Sequence, residues 1–233
     1  MKIRFQYIVL IALSAAAVSC KKDNYAEPGS KLSGKVVYKG EALGFENYQV
    51  PFELYQYGFG KVGAIGSSFD QEGNYSALLF DGDYKLIVPN GQGPFMWNKT
   101  SSGAPDSLAV SMHGSQSLDL EVTPFYMIRN PQITGGSNKV SATFKLEKII
   151  TDVNAKDVEN VTLYINKTQF VSGADNIAQS GKNGSDITDP NNVSLSVDVP
   201  AITPTQNYVF ARIGLKMAGV EDRLFSPLVK ITF

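Results

Sequence analysis

Chemistry on a protein needs side chains that titrate, attack or coordinate, and this chain carries few that can be assembled for it. His113 is the only histidine and Cys20 the only cysteine. A Ser-His-Asp site is built in space and not in sequence, so the sequence leaves His113 open to one. The chain nevertheless has no Gly-x-Ser-x-Gly elbow and no zinc-ligand spacing, and the following Gly114 and Ser115 mark His113 as a strand-end or turn residue. Glycoside hydrolysis needs two carboxyl groups several ångströms apart across a cleft. Here Asp and Glu fall mostly in turns, and the expectation is a protein that is not an enzyme. Asp70, Glu72, Asp81 and Asp83, or Asp186, Asp189 and Asn191, are oxygen-rich stretches of the kind Ca²⁺ uses. Neither has EF-hand spacing, and turn chemistry accounts for both, so no metal or other cofactor is expected.

Binding chemistry is better represented. Trp97, the sole tryptophan, follows Phe95 and Met96 inside the stretch 90–106, NGQGPFMWNKTSSGAPD, between Asn90 and Asn98. A sugar ring presents a flat C–H face that packs on an indole, while amides satisfy its hydroxyls. Trp97, Phe95 and Asn98 are therefore the candidate ligand contacts, with Tyr55 and Tyr57 on the exposed phase of their strand as a second platform. The competing placement has the loop folded back, with Trp97 covering the core or a domain junction. Exposure of the ring decides between them.

The elements that must position these residues are strands. Short runs rich in β-branched and aromatic residues, separated by Gly, Asn, Asp and Pro, begin at Leu32. The alternation predicts strands over 32–38, 50–56, 75–79, 84–88, 108–112 and 118–122, with Pro51 at a strand start or sheet edge. A second set follows over 140–146, 161–170, 193–199, 208–217 and 224–233. In 208–217, Tyr208, Phe210, Arg212 and Gly214 lie on one face and Val209, Ala211, Ile213 and Leu215 on the other. Stretches 90–106 and 172–192 read as long polar loops. PFYMIRNP, 124–131, reads as a junction with Phe125, Tyr126 and Ile128 packed between two domains.

Composition agrees with packed β-domains without disulfides. The apolar fraction is 43%, with 13 Phe and 11 Tyr. At the N-terminus Lys2 and Arg4 precede an apolar run, 8–17, which is too short to span a bilayer and ends at Ser19, Cys20, Lys21 and Lys22. This is the form of an export signal. Removing the first 19 of 233 residues leaves 214, with 19 basic against 22 acidic residues and a formal charge of −3. No basic patch for nucleic acid is implied.

The small residues Ala15, Ala16, Ala17 and Ser19 ahead of Cys20 resemble a bacterial lipobox, with Ala17 where Leu is usual. The resemblance implies cleavage before Cys20 and a diacylglycerol on its thiol, a durable membrane anchor because each buried CH₂ adds ~0.8 kcal/mol. Lys21 after the cysteine resembles outer-membrane sorting, and Lys22-Asp23 allows surface display. LSGKVVYKGEAL, VPFELYQ and FDQEGNYSALLFDGDYKLIV together resemble the carboxypeptidase-regulatory-like, transthyretin-like sandwich, in which an Asp-x-x-Gly-x-Tyr turn precedes a Gly-x-Tyr strand. The second set of strands resembles a fibronectin or immunoglobulin-like sandwich.

The expected fold is all-β, two tandem β-sandwiches, divided as signal peptide 1–19, lipidated tether 20–30, and sandwiches 31–123 and 124–233. With the junction LEVTPFYMIRNP, the whole resembles a Bacteroidetes lipoprotein family of unknown function. Its members resemble accessories of Sus-type glycan-uptake systems, in which a TonB-dependent transporter works with glycan-binding lipoproteins. The resemblance implies those partners and a non-catalytic, glycan-binding role. The alternative is a structural spacer or adhesin-like interaction module.

Overall fold

The structure, a computed structural model, describes residues 26–58 and 63–232. The export signal, Cys20 and most of the tether lie outside the described residues. Among the described residues no helix is long and apolar enough to cross a membrane.

The first sandwich packs two sheets. Ser30–Tyr38 pairs antiparallel with Asn74–Leu79 along one side and parallel with Gln116–Ser117 and Leu120–Glu121 along the other, while Glu41–Ala42 folds back on its end. The facing sheet is antiparallel in the order Ala64–Ser68, Pro51–Gln56, Gly82–Ile87, Leu108–Met112. Pro51 begins its strand, where its missing amide hydrogen costs nothing, but the strand is central and not an edge. Leu32, Val36, Phe52, Leu54, Leu86 and Met112 are fully enclosed. The rings of Phe52, Phe69 and Tyr75 pack at centroid separations of 5.0 to 5.8 Å.

The second sandwich sets Tyr126–Gly136, Lys139–Lys148 and Val193–Asp198 against a sheet of Ala178–Asn183, Val158–Asn166 and Tyr208–Met217, with Leu224–Phe225 and Val229–Thr232 pairing the far side of that last strand. The alternation of 208–217 is realised: Val209, Ala211, Ile213 and Leu215 are 0% exposed in the interior.

Several expected elements differ: the strand expected over 161–170 is Val158–Asn166, and that over 118–122 is broken into Gln116–Ser117 and Leu120–Glu121. The stretch 172–192 is not a loop throughout, because Ala178–Asn183 is an edge strand followed by the 3₁₀ turn Gly184–Asp186. That strand is held by its backbone ladder to Val158–Asn166, and no position in it is buried, so it shows no apolar alternation. The terminal stretch is split in two around Ser226 and Pro227. PFYMIRNP, expected as a packed junction, is also the start of a strand. Tyr126 starts a long strand, and Asn130, at φ 49, and Pro131 form an irregularity between Arg129 and Gln132.

Phe125, Tyr126 and Ile128 are buried, at 8, 7 and 7% exposure, and one apolar cluster runs through both sandwiches. Polar groups fasten the same seam. Phe225 donates its N–H to the Gly44 carbonyl at 2.9 Å, and Arg129 bridges Glu41 and Glu147 from opposite sides of the junction. Arg212, 1% exposed, points from the second sandwich to the backbone of the first. Its Nη1 and Nη2 donate to the carbonyls of Phe45 and Gln71 at 3.0 and 2.8 Å, and its Nε to Ser226 at 3.0 Å. A Cβ on Gly44 would fall 2.7 Å from the guanidinium, so this approach requires glycine.

Candidate functional site

The loop that carries Trp97 is fixed at both ends. Phe95–Met96 pairs antiparallel with Thr123–Pro124, and beyond it the chain closes a small hairpin in which Asp106 donates to the Asn98 carbonyl at 2.8 Å and Thr100 to Ala104 at 2.9 Å. The loop is thus better ordered than the breaks in pattern predict. Gly93, at φ 81, gives its N–H to Asp222 of the second sandwich at 2.6 Å. A Cβ there would meet the Phe95 ring at 2.5 Å, so both the conformation and the space demand glycine.

Alternation then sorts the three apolar residues. Phe95, expected beside Trp97 as a contact, is 4% exposed and packs on Phe45, with centroids 5.9 Å apart. It is a support. Met96 is 38% exposed. Trp97 is half-buried: it packs on the core while its indole N–H donates to the Asp106 carbonyl at 2.7 Å. That bond fixes the ring plane and leaves its exposed surface for contact. The two placements left open by the sequence are therefore combined in one side chain.

Trp97 stands between two clefts. One, about 480 Å³, runs along the domain junction, where Asn90, Gln92, Met96, Asn98 and Lys99 face Val153, Asn154 and Lys156 of the second sandwich. Val153 is 98% exposed. The other, about 470 Å³, is lined by Asp106, Leu108, Asp119 and Glu121 on the first sandwich alone. In the junction cleft Asn90 donates to the Gly103 carbonyl and Gln92 to Glu221, which orients both amides. An aromatic wall, exposed aliphatic side chains and several oriented amides match the requirements of a hydroxylated ring. Sequence reasoning named Trp97 and Asn98 but missed Gln92, Lys99, Val153, Asn154 and Lys156. The latter three join the cleft beside Trp97 only through the domain packing, and no local pattern signals them.

Other expected residues lie elsewhere. Tyr55 is half-buried and donates its hydroxyl to Glu53 at 2.6 Å, an interaction that pushes the phenol's pKa up. Tyr57 is 58% exposed with the Lys85 ammonium 5.3 Å from its ring centre. Neither lines the Trp97 clefts. A third cleft, about 590 Å³, lies on the outer face of the first sandwich and mixes Lys31 and Lys35 with Asp70 and Asp119.

His113 comes within 3.3 Å of the Ser111 hydroxyl, which itself donates to Asp83 at 2.6 Å. This is not a nucleophile relay, because serine and not histidine occupies the middle position and gives its proton to the carboxylate. The oxygen-rich turns are occupied by their own backbone. Asp70 accepts from the N–H of Glu72 and Asn74 at 2.9 and 2.8 Å, and Asp189 from Asn191 at 2.8 Å.

Family models match both halves of the chain: an N-terminal domain of the DUF3823 proteins of unknown function over residues 30–123, and the DUF3823 C-terminal domain over 126–230. A DUF3823 structure from Parabacteroides merdae is 32% identical, with a TM-score of 0.77 over 89% of this chain and all of that one. The chain belongs to the DUF3823 family. A second DUF3823 structure, from Bacteroides ovatus, is 27% identical with a TM-score of 0.75 over 88% of this chain and 99% of that one. A Bacteroides uniformis structure described as a candidate carbohydrate-binding protein has a TM-score of 0.67 over 88% of this chain and 100% of that one. At 17% identity it shares the fold of this DUF3823 protein. No curated protein matches the chain.

Proposed function

We propose that this DUF3823 protein is a non-catalytic glycan-binding accessory, lipid-anchored through Cys20 at the outer membrane and facing outward. It would work with a TonB-dependent transporter and that transporter's glycan-binding lipoprotein. The observation that carries the reading is the setting of Trp97, an indole pinned by the Asp106 carbonyl and bordered by oriented amides at a cleft spanning both sandwiches. The lipobox-like stretch before Cys20 supports the anchor, and the carbohydrate-binding description of a protein with this fold is in keeping with the ligand class.

Affinity electrophoresis in gels containing soluble polysaccharides tests the ligand. Trp97→Ala should weaken retardation ~5- to 150-fold, because loss of one stacked ring costs about 1 to 3 kcal/mol by analogy with bases stacked on aromatic side chains. A wild-type protein that no polysaccharide retards would favour the alternative, a spacer or docking module, for which the sealed junction around Arg212 is the supporting observation. The anchor is tested separately. Cys20→Ala should release the protein from the membrane fraction, and proteinase added to intact cells should digest the wild type. Protection from proteinase would move the protein to the periplasmic leaflet.

A further inference from the structure

The charged side chains that line the two sides of Trp97 are opposite in sign. On the junction side the lining residues include Lys99 from the first sandwich and Lys156 from the second, with no Asp or Glu among them. On the other side the lining includes Asp106, Asp119 and Glu121 and no Lys or Arg. This segregation occurs on a chain with slightly more acidic than basic residues, 22 against 21. Among the described residues neither Lys99 nor Lys156 takes part in an ion pair.

The carboxylates bonded to lining residues, or next to them in sequence, keep their charge but hold other donors. Asp222 accepts the Gly93 N–H and Glu221 accepts the Gln92 amide, at 2.6 and 3.1 Å. Asp152 accepts the Asn154 N–H at 2.8 Å, and Asp157 pairs with Lys148 at 3.5 Å. The two ammonium groups thus lack a carboxylate of their own at the place where an aromatic wall and amides await a sugar. A cleft lined by one sign of charge between low-dielectric walls concentrates ligands of the opposite sign.

We propose that the glycan is anionic, a polymer bearing carboxylate or sulfate groups, and that it lies on the junction side of Trp97. One ring packs on the indole, and acid groups on that ring or its neighbours are reached by Lys99 and Lys156. The acidic side of the tryptophan repels the same polymer, which gives the site a direction as well as a preference. The inference rests on the glycan-binding reading above and goes beyond it in naming the ligand class and the face.

The probes are two acidic polymers, polygalacturonate and chondroitin sulfate, and two neutral ones, xyloglucan and glucomannan. The full-length mature chain, its Trp97→Ala variant, and Lys99→Gln with Lys156→Gln singly and together are run in affinity gels and compared with polymer-free gels. The expected result is retardation by at least one acidic polymer and by neither neutral one. The dissociation constant should rise with added salt, and about tenfold in the double lysine variant. Thermal melting shows whether each variant is folded; if the double variant is not, the single variants carry the test.

Trp97-dependent retention by a neutral polymer alone would overturn the anionic assignment while leaving glycan binding in place. Acidic retention that Trp97→Ala leaves unchanged would mean simple ion exchange and would overturn it too. Acidic retention that depends on Trp97 but ignores both lysines would remove the proposed face. Retention by none of the four removes both this inference and the glycan reading for these polymer classes.

Discussion

Arg212 is among the largest fully buried side chains in the protein, and it makes no ion pair among the described residues. Its guanidinium spends three donor positions on carbonyl oxygens and stacks 4.5 Å from the centre of the Phe225 ring. Loss of water lowers its pKa to about 10, partly offset by the more distant Glu72, Glu46 and Asp70, so the group stays charged at neutral pH. Each charge-assisted bond contributes roughly 1.5–3 kcal/mol, and deleting one partner leaves the other buried and unsatisfied. Arg212→Ala should therefore lower the unfolding free energy by about 3–5 kcal/mol in urea titrations. Arg212→Lys should recover little, since one ammonium cannot hold a planar fork over Phe225 and reach three carbonyls. A destabilisation below about 1 kcal/mol for the alanine variant would mean that the seam closes without it. Sequence offered no sign of this role. Arg212 falls on the face of 208–217 opposite the apolar one, a position that in an isolated sandwich faces water, and its partners are backbone atoms with no residue-type signature. Trp97 was legible because its type is rare and its loop is marked by Gly and Pro.

Among the elements, most strands with apolar alternation were legible to within a residue or two, and Leu108–Met112 and Tyr208–Met217 coincide with the pattern, whereas 161–170 is Val158–Asn166 and 118–122 is broken into Gln116–Ser117 and Leu120–Glu121. Ala178–Asn183 was not, because its stability lies in the ladder to Val158–Asn166 and its side chains carry no period. Turn chemistry holds the other elements together in ways that can be tested by pH. Asp81 accepts the Gly114 N–H at 3.0 Å and the Ser30 hydroxyl at 2.5 Å, so one carboxylate ties the start of the first strand to the turn after Leu108–Met112. The Gly114 and Ser30 bonds hold its pKa below the usual carboxylate range. A carboxyl whose folded pKa is depressed stabilises the fold at pH above its unfolded value, and this is lost as pH falls through the folded value, below about pH 4. Asp81→Asn should flatten the acid limb of the stability curve below pH 4 relative to wild type. An unchanged acid limb would show that the tie does not couple to folding. The Trp97 loop gives a second test. Gly93→Ala forces a side chain into left-handed backbone and against Phe95, with an expected loss of about 1 kcal/mol or more and weaker glycan retention in the same gels as Trp97→Ala.

At the scale of the molecule, the sheet that carries Tyr208–Met217 has two faces that need covering, and the facing sheet of the second sandwich covers only one of them. Val209, Ala211, Ile213 and Leu215 are closed off inside, but Arg212 and Phe225, on the outer side of the same sheet, are 1 and 3% exposed in the whole chain. Phe45 and Gln71 of the first sandwich supply the carbonyls that satisfy Arg212, while Gly44 accepts the Phe225 N–H. Separating the halves would thus return Arg212 to water and break the backbone bonds that Phe225 and Phe125 make to the carbonyls of Gly44 and Pro94, at 2.9 and 3.2 Å. Interfaces between domains are commonly looser than this, and a polar, mobile hinge is the usual arrangement. Here the chain enters the second sandwich directly as the strand Tyr126–Gly136, with no exposed linker between them. Residues 124–233 expressed alone should therefore unfold at lower urea concentration than the same sandwich within the mature chain. They should also bind hydrophobic dye or self-associate, while the mature chain melts in a single transition. Limited proteolysis of the mature chain should spare 124–131. Early cleavage there, or an isolated half as stable as the whole, would show two independent domains. The cleft between Trp97 and Lys156 could then not keep the fixed geometry that a ligand-binding site requires.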